Sequence, residues 1–230
     1  VATATAVVRL YGRVGLCEDR LPVRTPVLDV FRPPVHLVCR CYFGLSLRGT
    51  EHIPPEGPLV IVPNHQTYAD PPLVTIPVRR PVHYMAWDAL FRIPLLNPLI
   101  RALRAFPVDL ESMDRRAVRE AVGVLRRGEA LMIFPEGGRT PDGTLQPFKL
   151  GAFRLAVTTG AAVLPVTISG GTESWPPGKT LPRPGRITIT YHPAVTADPA
   201  LDPKRAASDL AARTRSAIET ALQPSGAATR

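Results

Sequence analysis

The sequence predicts an α/β fold: a mostly parallel central sheet flanked by helices, with an apolar, amphipathic helical segment near the N-terminus. Three observations predict it. Short, uniformly apolar, β-branched or aliphatic runs such as Leu59–Val62 and Ala130–Phe134 have the pattern of strands buried on both faces. Helical patterns alternate with these runs, as in parallel strands joined by crossover helices. The chain has 230 residues, 45% hydrophobic and 20% charged, enough for a substantial core without disulfides or metal.

Residues 1–28 carry scattered Arg, Gly and Pro with no sustained period and are expected to form a loosely ordered extension. Residues 29–48 follow as a membrane-associating helical segment, whose apolar run Val35–Leu47 suits a helix that is buried or lies in a bilayer interface. The remainder, 49–230, is expected to be one domain. In it, Pro58–Val62 reads as a buried strand ending at Pro63, and Val82–Ala86 as another. Asp88–Arg104 alternates apolar groups with Pro94 and Pro98 like a broken helix, and Ala105–Val108 is a brief strand. Ser112 is the expected cap of a helix through Arg127, with Ala117, Val118, Ala121, Val122 and Leu125 at helical spacing and Gly128 as its stop. Ala130–Phe134 reads as a further buried strand, Pro147–Gly160 suits a helix, Val163–Ile168 a strand, and Arg186–Tyr191 is expected to end the sheet. The closing helix is expected over about Pro203–Leu222, with Leu210, Ala211, Thr214, Ala217, Ile218, Ala221 and Leu222 on one stripe.

Twenty-eight Lys and Arg against nineteen Asp and Glu give a net charge of +9, and Lys149, Lys179 and Lys204 are the only lysines. A guanidinium-rich surface suits phosphate or another planar anion. The cations are spread along the chain, aromatic residues are only 6%, and no nucleic-acid motif occurs, so a non-enzymatic nucleic-acid or membrane binder is the weaker reading. Cys17, Cys39 and Cys41 lack the second pair of a zinc ribbon, and a reduced, cytoplasmic chain is expected. No apolar run approaches the roughly 18 residues of a membrane-spanning helix. Arg9, Arg13, Arg20 and Arg24 interrupt any secretory signal, so neither secretion nor membrane integration is expected.

Ligands of parallel α/β folds collect at the carboxyl ends of the strands, and two apolar strands here end in unusual polar sequences. The first reads Asn64-His65-Gln66-Thr67-Tyr68-Ala69-Asp70. A strand-to-helix turn of this length can fold Asp70 back onto one imidazole nitrogen, leaving the other to take a proton from a hydroxyl. Taken alone, the spacing is common and more often marks a helix cap and a surface acid. No further His, Cys or acid lies at metal-ligand spacing. The second end reads Phe134-Pro135-Glu136-Gly137-Gly138-Arg139-Thr140. Its glycines let backbone N–H groups approach an anion, and Arg139 supplies a forked donor for phosphate. A solvated glycine-rich turn is the commoner meaning of such a fragment alone. Glu136 is expected to hold Arg139 or a substrate hydroxyl.

Together, the two segments resemble the glycerolipid acyltransferase family typified by 1-acylglycerol-3-phosphate acyltransferase. Its N-H-x-x-x-x-D motif falls on Asn64 to Asp70, and its F-P-E-G-x-R-[ST] motif on Phe134 to Thr140. Further matches are Phe106-Pro107-Val108-Asp109, Pro147-Phe148-Lys149-Leu150-Gly151 and Val163-Leu164-Pro165-Val166, so the resemblance covers about residues 50–175. It implies acyl transfer without an acyl-enzyme: His65, oriented by Asp70, deprotonates a hydroxyl that attacks a fatty-acyl thioester of coenzyme A or acyl carrier protein. Asn64, Glu136, Gly137, Gly138, Arg139 and Thr140 are the implied substrate-binding residues, and the thioester is a co-substrate, with no cofactor or metal. The implied acceptor is a lysolipid, foremost 1-acylglycerol-3-phosphate, giving phosphatidic acid. The implied place is peripheral, on the anionic inner face of the cell membrane, with no nucleic-acid partner. The family's second motif usually carries cations where this chain has Trp87 and Leu110. A less anionic lysophospholipid or another alcohol is therefore the alternative acceptor, with Arg104, Arg115 and Arg139 the arginines available to compensate. Hydrolysis at the same dyad is the other enzymatic reading.

Overall fold

The structure, a computed structural model of the chain, describes residues 26–109, 114–140, 142–176 and 178–223. Most of the expected N-terminal extension, together with Cys17, Leu110 and Ser112, lies outside the described residues.

Helix α1 spans Pro26–Phe43 and leads into strand β1, Ser46–Arg48. The apolar run Val35–Leu47, read from sequence as one helix, therefore divides. Gly44 is the reason: its φ of +49° ends the helix, and a Cβ there would lie 3.2 Å from the Gly185 carbonyl. Beyond it Leu45 is buried and Ser46 N–H donates to the Ile187 carbonyl, so the chain joins the sheet. Strand β2, Leu59–Pro63, is buried throughout. Helix α2, Asp70–Thr75, starts on Pro71 and Pro72, whose missing N–H groups cost nothing in a first turn. Strand β3 covers Val82–Trp87, and the expected broken helix is a 3₁₀ turn at Asp88–Arg92 followed by α3 at Leu96–Ala102. Strand β4 is Ala105–Val108.

Helix α4 runs Arg115–Arg126 and is capped by Asp114, which accepts from the N–H groups of Arg116 and Ala117. The cap is thus Asp114, not the expected Ser112, because its carboxylate satisfies two otherwise unpaired first-turn donors. Then follow β5 (Ala130–Met132), α5 (Gly151–Thr159), β6 (Ala162–Ser169), α6 (Gly171–Ser174), β7 (Thr188–Tyr191) and α7 (Pro203–Leu222).

The seven strands form one sheet in the order β1-β7-β6-β2-β5-β3-β4. The five strands from β6 to β4 are parallel; β7 runs antiparallel to β6, and β1 runs parallel to β7. Alternation along β2 separates two cores. Leu59 and Ile61 pack with Leu73 and Val74 of α2, while Val60 and Val62 pack beneath α4, α5 and α7. Among the described residues no helix is long and apolar enough to cross a membrane. The sheet's arrangement puts the carboxyl ends of β2 and β5 side by side, with Ile61 level with Met132.

Candidate active site

Just past β2, Asn64 is buried and hydrogen-bonded in both directions to β6: its Nδ2 donates to the Ile168 carbonyl (3.0 Å) and its Oδ1 accepts from Ile168 N–H (2.7 Å). The carboxamide thereby pins the strand end. The next residue, His65, is held through its backbone by the loop after β5. Its N–H donates to Glu136 Oε1 at 2.7 Å, and its carbonyl accepts from Thr140 N–H at 2.9 Å.

The imidazole is fixed on two further sides. Nδ1 lies 2.9 Å from Asp70 Oδ2, and the ring stacks on Phe134 with centroids 3.9 Å apart and planes 23° from parallel. The Asp70 side chain is 1% exposed. Its Oδ2 also accepts from the N–H groups of Gln66 (2.6 Å) and Thr67 (2.8 Å), and Oδ1 accepts from Thr67 Oγ1 (2.6 Å). Four donors to one carboxylate fix its orientation. Since a carboxylate only accepts, Nδ1 carries the proton and Nε2 presents a lone pair. That nitrogen has no hydrogen-bond partner among the described residues, and the side chain is 17% exposed. The strand-to-helix turn has the shape expected from its spacing.

Of the two roles expected of Glu136, holding Arg139 is not one the structure shows. The two Glu136 oxygens accept from backbone N–H of His65 and Gln146, and neither holds Arg139. Burial pushes this carboxyl above its ordinary range, partly offset by those two donors. Arg139 instead lies over the ring of Tyr68, with its guanidinium carbon 3.5 Å from the centroid, and donates to the Tyr68 hydroxyl at 2.7 Å. Gly137 has a φ of +76°, and a Cβ there would collide with the Lys149 side chain, so the ammonium closely approaches this loop. The Cβ direction of Gly138 is open. Thr140 is buried and donates from Oγ1 to Asp142.

A cleft of about 620 Å³ lies beside this loop, lined by Tyr68, Arg139, Thr140, Trp175, Lys179 and Thr180. Tyr68 meets Trp175 edge to face at 5.8 Å. Sequence reasoning assigned no separate role to Thr67, Tyr68, Phe134, Lys149, Trp175 or Lys179. Thr67 was accessible in principle, because a hydroxyl three residues before an acid at a helix start is a local capping pattern. Trp175 and Lys179 arrive from beyond β6, and no local signal connects them to the site. Among the described residues no three His, Cys, Asp or Glu side chains are grouped to hold a metal ion.

The sequence model of the family described as Acyltransferase matches residues 44–169, more than half of the chain. A 1-acyl-sn-glycerol-3-phosphate acyltransferase of Chlamydomonas reinhardtii is 31% identical over 189 residues, 80% of this chain and 54% of that protein. The one from Borreliella burgdorferi is 34% identical over 126 residues, 54% of this chain and 50% of its own length. The chain thus spans about half the length of these relatives. Among solved structures, the 1-acyl-sn-glycerophosphate (LPA) acyltransferase PlsC of Thermotoga maritima superposes with a TM-score of 0.72 at 28% identity, covering 94% of this chain and 85% of that one.

Proposed function

Since this chain belongs to the acyltransferase family, we propose that it moves a fatty-acyl group from an acyl thioester to a lysolipid hydroxyl, foremost that of 1-acylglycerol-3-phosphate, yielding phosphatidic acid. The observation that carries this reading is the His65–Asp70 pair, with one imidazole nitrogen fixed at 2.9 Å from a buried carboxylate and the other without a hydrogen-bond partner among the described residues. His65 Nε2 takes the acceptor's hydroxyl proton as its oxygen bonds to the thioester carbonyl carbon. Collapse of the tetrahedral species breaks the C–S bond, and the imidazolium returns the proton to the departing thiolate. Asp70 stabilises the transient imidazolium and holds the productive tautomer. Arg139, Lys179 and Lys149 supply positive charge for a phosphate-bearing substrate group, while Gly137 and Gly138 let it approach the backbone.

Residues 49–230 act as the catalytic domain, and α1 holds it peripherally on the anionic inner face of the cell membrane. Val35, Leu37, Val38 and Tyr42 of that helix are exposed, as an interfacial helix requires. Trp87, half-exposed at the end of β3, favours a second acceptor reading, a less anionic lysolipid or another alcohol. Purified protein with labelled acyl-CoA and a panel of lysolipids tests both readings. Thiol release that requires lysolipid supports transfer; release at the same rate without lipid identifies a hydrolase, and no release with any acceptor overturns the proposal.

A further inference from the structure

The segment between β3 and β4 stands on the same edge of the sheet as His65. Register shows it: Tyr84 is level with Met132, and Met132 with Ile61. Three residues onward, Trp87 is level with Asn64, two strands and roughly 10 Å from it. The chain then forms the 3₁₀ turn and α3 before returning. Here Trp87 is 49% exposed, Ile93 47%, Leu95 90% and Leu99 56%, with Pro94 and Pro98 also exposed. No charged residue interrupts Ile93–Ile100, and exposed Arg92 and Arg101 bound it. Arg92 pairs with Asp88, and Arg101 reaches back to Asn97 and over Phe91, so the cations flank the apolar tip without covering it.

On the other side of His65, β1 brings α1 to the same edge. Ser46 is level with Thr188 and Thr188 with Ser169, three residues beyond the level of Pro63. Helix α1 ends just before it, three strands from β2 in the sheet order. Two exposed apolar elements therefore stand on either side of His65 along this edge of the sheet. One interfacial helix leaves a body free to tilt about it, whereas two contacts on either side of a site fix which edge faces the membrane.

We propose that the Ile93–Leu99 segment is a second bilayer contact, inserting Ile93, Leu95 and Leu99 with Trp87 in the interface and Arg92 and Arg101 among anionic headgroups. The proposal rests on the lipid-acceptor reading above. Charge selects this occupant over a protein partner: the chain carries +9, and an apolar tip collared by arginines matches an anionic leaflet.

The test uses Trp87 emission in the Trp175→Phe protein, with vesicles of phosphatidylcholine and phosphatidylglycerol carrying brominated acyl chains. Insertion shifts the emission to the blue and quenches it. Leu95→Glu, at a position 90% exposed and so neutral to folding, abolishes that quenching and weakens vesicle partitioning about tenfold or more. Its transfer to lysolipid in vesicles falls relative to transfer to a monomeric short-chain acceptor. Unquenched Trp87 with wild-type partitioning of Leu95→Glu overturns the proposal. So does light scattering that shows Leu95→Glu only splitting a dimer, which makes the patch a contact between copies. Quenching without any acyl transfer would instead overturn the proposed activity and leave this contact standing.

Discussion

Asn64 and Ile168 exchange two hydrogen bonds, side chain to backbone in each direction, across a buried junction between neighbouring strands. The sequence reading placed Asn64 among substrate-binding residues, but a carboxamide occupied on both atoms is suited to positioning His65. Asn64→Leu strands the Ile168 N–H and carbonyl, and each unpaired buried group costs about 1–3 kcal/mol. We expect a lower melting temperature and lower kcat with acceptor KM unchanged. A rise in KM alone would return Asn64 to the acceptor.

His65→Ala removes the base and is expected to cut turnover by about 10²–10⁴ while the fold persists. Asp70→Asn is harsher on the fold, because an amide nitrogen replaces one oxygen of a carboxylate accepting from four donors. Single-turnover rates and thermal melts together separate the two: loss of rate alone for His65→Ala, loss of both for Asp70→Asn.

Glu136 gives a pH signature. Burial raises its folded value above the ordinary 4.5, so in that window the folded state retains a proton that the unfolded chain gives up. Stability contributed by this group is therefore present below pH 4.5 and lost as pH rises through the folded value. Glu136→Gln lacks this titration but loses one of the two acceptors for His65 and Gln146 N–H. Melts from pH 4 upward should show wild type ahead of Glu136→Gln by most at the acid end; a constant gap would contradict the assignment.

The sheet and its helices were legible because buried parallel strands are short, apolar and bounded by proline, as in Leu59–Pro63, and because amphipathic helices such as α7 keep their period. Legibility failed where one residue's conformation decides. Gly44 converts an apolar run into a helix and a strand, and Asp114 captures a helix start that Ser112 would also suit. At the site, the spacing of His65 and Asp70 gained its meaning only beside the Phe134–Thr140 segment, since alone it also fits a helix cap and a surface acid. The contacts of Glu136 and of Arg139 were not, since their partners, Gln146 and Tyr68, are chosen by how two loops meet.

Arg139→Ala should weaken a phosphate-bearing substrate by about 10–100-fold in KM, the range for a lost charged hydrogen bond. Competition between lysophosphatidate and a lysophosphodiester, in wild type and in Leu110→Arg and Trp87→Lys, then tests acceptor choice. We expect each added cation to shift selectivity towards lysophosphatidate. A strong wild-type preference unaffected by either change would show that other arginines grip the phosphate.

The membrane attachment proposed for α1 is best probed at exposed positions. Deleting 29–48 would also remove Leu45 from the core and β1 from the sheet. Leu37→Glu and Val38→Glu should lower sedimentation with anionic vesicles and leave the melting temperature unchanged. Unaltered sedimentation would remove α1 as the anchor.

Among the described residues strand β1 pairs only with β7, Ser46 against Thr188, so this edge strand waits for a partner made long after it in the chain. Closing so long a span is entropically slow, and β1 has no site until the chain has left the ribosome through Tyr191. Meanwhile α1 has long since emerged. The order of assembly thus leaves α1 free, and able to make the bilayer contact proposed for it, before the sheet closes behind it. Nascent chains stalled short of Thr188 should remain open to protease cleavage between residues 44 and 48, and chains released with β7 complete should not.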